Sequence, residues 1–140
     1  MARSSELRRV ADQLHSAAIH VLRYAREADR QSTLGPAQLS ALSVLTYGGP
    51  CTIGELAAAE QVAPPTMTRI IQALQARGFV RLKGSSKDAR VTICEASPRG
   101  VATLKKARRA RLDRIEGLLS QKKLEDIVLL GKALETIVSD

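Results

Sequence analysis

Between Thr52 and Gly100 the chain reads as a short capped helix, a tight turn, a second helix and an alternating hairpin. Few folds accept that order in so short a span. Thr52-Ile53-Gly54-Glu55 has the capping-box pattern, in which a hydroxyl and a carboxylate each satisfy an orphan amide at a helix start. Cys51 and Leu56 stand at the two positions of a hydrophobic staple. The helix is predicted to end near Glu60, and Gln61-Val62-Ala63 makes the turn. Pro64 and Pro65 open the next helix, where a missing N–H costs little. That helix is predicted to last to Arg77, with Gly78 as its C-terminal stop. Val80-Arg81-Leu82-Lys83 and Arg90-Val91-Thr92-Ile93-Cys94 then alternate as half-buried strands do, on either side of the polar turn Gly84–Ala89. A lone hairpin is marginal, so it must pack on the helices.

The faces of these elements differ in chemistry. On a helical wheel Met67, Ile70, Ile71 and Leu74 gather on one side of the helix that follows the turn. Pro65, Arg69, Gln72 and Ala76 lie opposite, with Thr68 beside them. In the hairpin Val80, Leu82, Val91 and Ile93 form the expected apolar side. Arg81, Lys83, Arg90 and Thr92 form the outward side, and the same alternation puts Cys94 outward among basic neighbours that would lower a thiol's pKa. Charge is concentrated here too. The whole chain carries +8, but residues 63–111 hold 12 Lys or Arg against two acids, and residues 32–62 hold no Lys or Arg. A localised block of that sign attracts polyphosphate, with counterion release supplying affinity. Arg suits guanine O6 and N7, and Gln suits adenine N6 and N7. The pattern is therefore that of a winged helix-turn-helix. Arg69, Gln72 and Thr68 are the candidates for base edges, and Thr66, Lys83, Ser85, Ser86 and Lys87 for phosphates. Thr52 reads first as a cap and second as a phosphate contact. The run Lys105–Arg111 reads equally as an extension of the footprint or as a solvated face.

The flanking segments are helical. Leu7, Val10, Ala11, Leu14, Ala17, Ala18, Val21, Ala25 and Ala28 recur at helical spacing over about Ser5–Asp29. A second helix is predicted from Pro36 to Tyr47, a long basic one from Ser97-Pro98 to about Ser120, and a last one near Lys122–Val138. The end helices present apolar stripes that no third layer of this chain can cover, which points to a second subunit. Other classes fit poorly. Tyr24, Tyr47 and Phe79 are the only aromatics, too few to stack single-stranded bases. No apolar run approaches a membrane span and the first residues have no signal-like core, so a soluble, cytoplasmic protein is expected. Cys51 and Cys94 do not make a disulfide framework. His15 and His20 are about 140° apart on a helix and are not a metal pair. Nucleophile–base sets, phosphate-binding glycine loops and metal clusters are not evident, so neither catalysis, a cofactor nor a metal is expected.

Asp88-Ala89-Arg90, followed by Ser97 and Gly100, resembles the pattern of the MarR family of bacterial transcription regulators: an Asp-x-Arg wing, then Leu-Thr-x-x-Gly entering the next helix. Ala96 stands at the Leu position and Ser97 at the Thr position. Ala63, where a Ser or Thr cap is usual, is a second departure, worth about 1 kcal/mol. The resemblance spans essentially the whole chain. It implies a fold that is mainly α with a small β-wing: a winged helix-turn-helix over residues 36–97, and a dimerisation lobe built from residues 1–31 and 98–140. It also implies a homodimer that reads a pseudopalindromic operator in double-stranded DNA, Arg90 as the wing's DNA-contacting guanidinium, and Asp88 as its brace. A small anionic or phenolic effector is implied between the lobes, for which His15, Ile19, Arg23, Leu45 and Tyr47 are candidates. Some relatives sense oxidants through a cysteine on the first helix, and this chain has none there. The function expected is a repressor released from its operator by an effector. Its rival is an architectural, nucleoid-type DNA binder without one.

Overall fold

The computed structural model describes every residue except Ser86, Ala89 and Asp140. Its elements run α1 (Ala2–Arg26), a 3-10 turn (Glu27–Gln31), α2 (Pro36–Gly48), β1 (Cys51–Thr52), α3 (Ile53–Glu60), α4 (Pro64–Ala76), β2 (Val80–Gly84), β3 (Thr92–Ala96), α5 (Pro98–Leu119) and α6 (Leu124–Val138). The chain divides into two compact units: Met1–Ala28 with the chain from Ala110 onward, and Asp29–Arg109.

The second unit holds the core. Leu42, Leu56, Met67, Ile71, Leu74 and Cys94 are fully buried, and Leu34, Leu39, Ala41, Leu45, Ala57, Phe79, Val80 and Leu104 complete the cluster. Local chemistry sets its boundaries. Gly35 and Pro36 start α2, with the Gly35 N–H donating to Gln38 Oε1 at 3.2 Å. Thr52 caps α3: its Oγ1 accepts from Glu55 N at 3.1 Å and donates to Glu55 Oε1 at 3.2 Å. The Glu55 carboxylate thus meets the cap through the hydroxyl. The turn after α3 puts Gln61 in the left-handed region, at φ 56°, and the Val62 N–H reaches Ala57 O at 3.0 Å. Ala63 precedes α4 without a side-chain cap.

α4 ends in a Schellman motif. Gly78 has φ +78°, Phe79 N donates to Leu74 O at 2.9 Å and Gly78 N to Gln75 O at 3.0 Å. A glycine takes that conformation without penalty, and the motif answers carbonyls the helix leaves open. Ser97 then ties two helices together. Its hydroxyl donates to Gly78 O at 2.6 Å and accepts from Gly100 N at 3.0 Å, so it caps α5 while holding the end of α4. A Cβ at Gly100 would lie 2.1 Å from Phe79 O, which no side chain can occupy.

The strands form an antiparallel sheet in the order β1-β3-β2. β1 was not evident in the sequence, because two residues are too few to show alternation. The register corrects one face assignment. Val80 pairs with Ala96, Leu82 with Cys94 and Lys83 with Ile93, so Cys94 shares the core side with Val80 and Leu82, and Ile93 lies on the outward side. The ordered strand begins at Thr92 rather than Arg90, and the apolar residues of two neighbouring strands pull Cys94 inward. Val91 precedes the strand, its N–H bonded to Asp88 O at 3.0 Å.

In the first unit Arg114 joins α5 to the end of α1. Its Nε donates to Tyr24 O at 2.8 Å, Nη2 reaches Glu27 Oε2 at 2.6 Å, and the guanidinium lies 4.0 Å from the Tyr24 ring centroid. α6 has no buried residue. Leu7, Val10, Leu14 and Leu22 of α1 and Leu124, Leu129, Leu130 and Leu134 of α6 are exposed. Among the described residues no helix is long and apolar enough to cross a membrane.

Candidate nucleic-acid interface

α3 and α4 are set by the core beneath them, and the outer face of α4 is what remains. Met67, Ile71 and Leu74 are buried. Pro65, Thr66, Arg69, Gln72 and Ala76 are exposed, as the wheel predicts. Thr68 is half-buried, and its hydroxyl donates back to Pro64 O at 3.0 Å. That hydroxyl can therefore accept from a base or water but has already placed its proton. Gln75 is exposed as well and was not singled out in the sequence; its position seven residues after Thr68 is the signal that places it on the same side. Arg69 and Gln72 stand three apart, so their donors and acceptors project side by side from one helical turn.

In the hairpin, the loop is tied back on itself. Ser85 N donates to Val91 O at 2.8 Å, and Ser85 Oγ accepts from Lys87 N at 3.2 Å. Asp88 Oδ1 accepts from Arg90 N at 3.0 Å and from Arg90 Nε at 3.3 Å. The carboxylate fixes the Arg90 backbone and one edge of its guanidinium, while the Arg90 side chain remains 92% exposed. The structure thus brings Asp88 and Arg90 together; Ser86 lies outside the described residues. Lys83 Nζ pairs with Glu95 Oε2 at 2.7 Å, and Glu95 also stands opposite Arg81 in the register. The hydrogen bond from Lys83, its charge and that of Arg81 hold the Glu95 carboxyl below its usual range. Glu95 went unassigned in the sequence, although it is one of two acids in the basic block. Both of those acids meet cations of the hairpin.

Not all of the basic block is free for DNA. Arg77 donates to Thr33 O at 2.7 Å and Arg99 to Arg77 O at 2.9 Å, and their guanidiniums lie 5.0 and 4.8 Å from the Phe79 ring centroid. These two arginines brace the end of α4. Lys105, Lys106, Arg108 and Arg109 are all exposed on α5.

The remaining candidates divide between the units. His15, Ile19 and Arg23 are exposed on α1 in the first unit. Tyr47 is exposed on α2 in the second, whereas Leu45 belongs to that unit's core at 3% exposure. Cys94 is no outward thiol: burial, and next the neighbouring Cys51, push its pKa from 9.0 to about 11. The expectation of a basic-activated Cys94 is overturned by the same register that moved it to the core side. Among the described residues no group of three or more His, Cys, Asp or Glu could hold a metal ion.

Residues 34–92 match the model of the MarR family. An uncharacterised HTH-type transcriptional regulator of Mycobacterium leprae is 40% identical over 103 residues, covering 74% of this chain and 72% of the relative. A MarR family protein from Bacillus stearothermophilus has a similar fold, with TM-score 0.81 at 20% identity over 96% of this chain and 94% of that one. So does BpsR of Bordetella bronchiseptica, whose DNA binding is regulated by 6-hydroxynicotinic acid, with TM-score 0.62 at 19% identity and 94% of each chain covered. At those identities the solved structures speak to fold alone.

Proposed function

The chain belongs to the MarR family of DNA-binding transcription regulators, and from that premise we propose that it is a sequence-specific repressor. It acts as a homodimer on a pseudopalindromic operator and is released by a small effector. One observation carries this reading: the exposed side of α4 offers a guanidinium and an amide from adjacent positions, Arg69 and Gln72, over a helix whose other side is locked into the core. Such a helix fits the major groove, where those groups distinguish guanine and adenine. Thr68 would add an acceptor for a base edge beside them, and Thr66, Lys83, Ser85, Ser86 and Lys87 would contact phosphates. Arg90, held by Asp88 yet open at its tip, suits a narrow, electronegative minor groove.

The uncovered apolar residues of α1 and α6 support the homodimer. A two-fold dimer reads half-sites about one helical turn apart. The effector reading draws on the Bordetella relative and on exposed His15, Arg23 and Tyr47 as polar and aromatic groups, with Ile19 as an exposed apolar one. Leu45 would contribute only by opening the core. An effector acts by binding better to the dimer that no longer matches the half-site spacing.

The test is a panel of operator variants bound by the native protein and by Arg69→Ala. Loss of discrimination of ~1–3 kcal/mol at particular base pairs supports base reading by α4. Equal discrimination by both proteins at every position contradicts it. A second reading, an effector-independent architectural binder, is favoured by the exposed cations Lys105, Lys106, Arg108 and Arg109 of α5, which would add affinity without sequence preference. It predicts a steep salt slope and little discrimination from either protein.

A further inference from the structure

We propose that Cys51 and Cys94 form a cross-strand dithiol that a peroxide closes into an intramolecular disulfide, fastening the strand before α3 to the wing. The two residues are direct partners in the β1–β3 pairing. Directly opposed residues of antiparallel strands share a face and have Cα atoms about 4.5–5.5 Å apart. Disulfides form at Cα separations of about 4.4–6.8 Å. The pairing thus places the two cysteines within the Cα range of a disulfide, and side-chain rotation with a small approach of the strands would join the sulfurs. Both thiols are free, and they are the only two cysteines in the chain. Their 43-position separation in sequence conceals a contact that the register makes immediate.

The place of the bond gives it an effect. β1 contains only Cys51 and Thr52, and only two residue pairs join it to β3. Thr52 is also the cap of α3. A bond from Cys51 to Cys94 would pin the entry of the helix-turn-helix to the strand that carries the wing.

Access determines the order of events. Cys51 is half-buried and Cys94 is fully buried, so the oxidant meets Cys51 first. The Cys51 sulfur attacks one peroxide oxygen: an S–O bond forms, the O–O bond breaks, and the leaving hydroxide takes the thiol proton and departs as water. The Cys94 sulfur then attacks the Cys51 sulfur. An S–S bond forms, the S–O bond breaks, and the oxygen leaves as a second water with the Cys94 proton. Two thiols are oxidised by two electrons and one peroxide is reduced to two waters. Burial pushes both thiols up, with Glu55 adding to the effect at Cys51. The thiolate is the nucleophile, so closure is slow near neutrality and quickens with rising pH. A partner thiol on the directly paired residue captures the sulfenic acid before a second oxidation.

The experiment treats the intact protein with hydrogen peroxide, without DNA, and counts thiols by alkylation after unfolding and mass spectrometry. The expected result is paired loss of both thiols, a Cys51–Cys94 cross-linked peptide, no covalent dimer on a non-reducing gel, and a raised Tm that dithiothreitol reverses. Cys51→Ser and Cys94→Ala should each lose the Tm rise. Retention of both thiols would mean that the pair is apolar packing and would overturn the proposal. So would sulfinic acid at Cys51 alone, or a cross-link between subunits. None of these outcomes depends on whether the protein reads a specific operator.

Discussion

Arg90 and Lys83 are both cations of the hairpin, yet they are held differently. Asp88 spends its carboxylate on the Arg90 backbone and Nε, leaving the rest of the guanidinium in water. Glu95 takes the ammonium of Lys83 itself. Removing the open cation and neutralising the acid that occupies the other should therefore have opposite effects. Arg90→Ala is expected to weaken binding to all DNA sequences and to flatten the salt dependence, by about 0.9 in slope for each phosphate neutralisation lost. Glu95→Gln is expected to do the reverse. It frees Lys83 and removes a negative charge from the wing, so affinity rises and the salt slope steepens. Fluorescence anisotropy across a salt series measures both. Weaker binding by Glu95→Gln would show that the carboxylate aims Lys83 rather than occupying it.

Among the elements, the junction of α4, β2 and α5 depends on Ser97. Its hydroxyl caps α5 and holds the Gly78 carbonyl. Ser97→Ala should cost about 0.5–2 kcal/mol in chemical denaturation, since it removes the α5 cap and its tie to the Gly78 carbonyl. An unchanged midpoint would contradict that role. The same junction marks what the sequence revealed. Capping at Thr52, proline starts at Pro36 and Pro64, and the Gly78 stop are local signals, and each stands where the pattern placed it. The buried side of α4 was legible because 3.6-residue periodicity over its 13 residues leaves little freedom. Strand β3 was not. Alternation over five residues fixes a period but not which side faces the core, and the decision belongs to the partners Leu82 and Cys51 across the sheet. Glu95 was missed for the same reason, since only the register sets it opposite Arg81 and beside Lys83. The roles of Arg77 and Arg99 were hidden by their charge: both counted only toward the basic block, whereas they pack against Phe79.

For the whole molecule, two features outside the second unit's core bear on the proposed function. One is the apolar surface of the first unit. Leu130 and Leu134 lie one turn apart on α6 and are exposed. If a second subunit covers them, Leu134→Glu should shift the protein toward monomer in analytical ultracentrifugation and lower operator affinity with it. A native dimer that survives the change would place its interface elsewhere. The other is the charge carried by α4, the hairpin and α5. Charge alone gives binding without discrimination, and specificity requires the groups of α4 to reach base edges. The most direct measurement is anisotropy of the native protein on DNA from upstream of its own gene against scrambled DNA, across a salt series. A sequence-specific dimer should show a dimer-stoichiometric preference of ~10³-fold or more that persists as salt rises. A steep salt slope with equal affinity for both DNAs would contradict it.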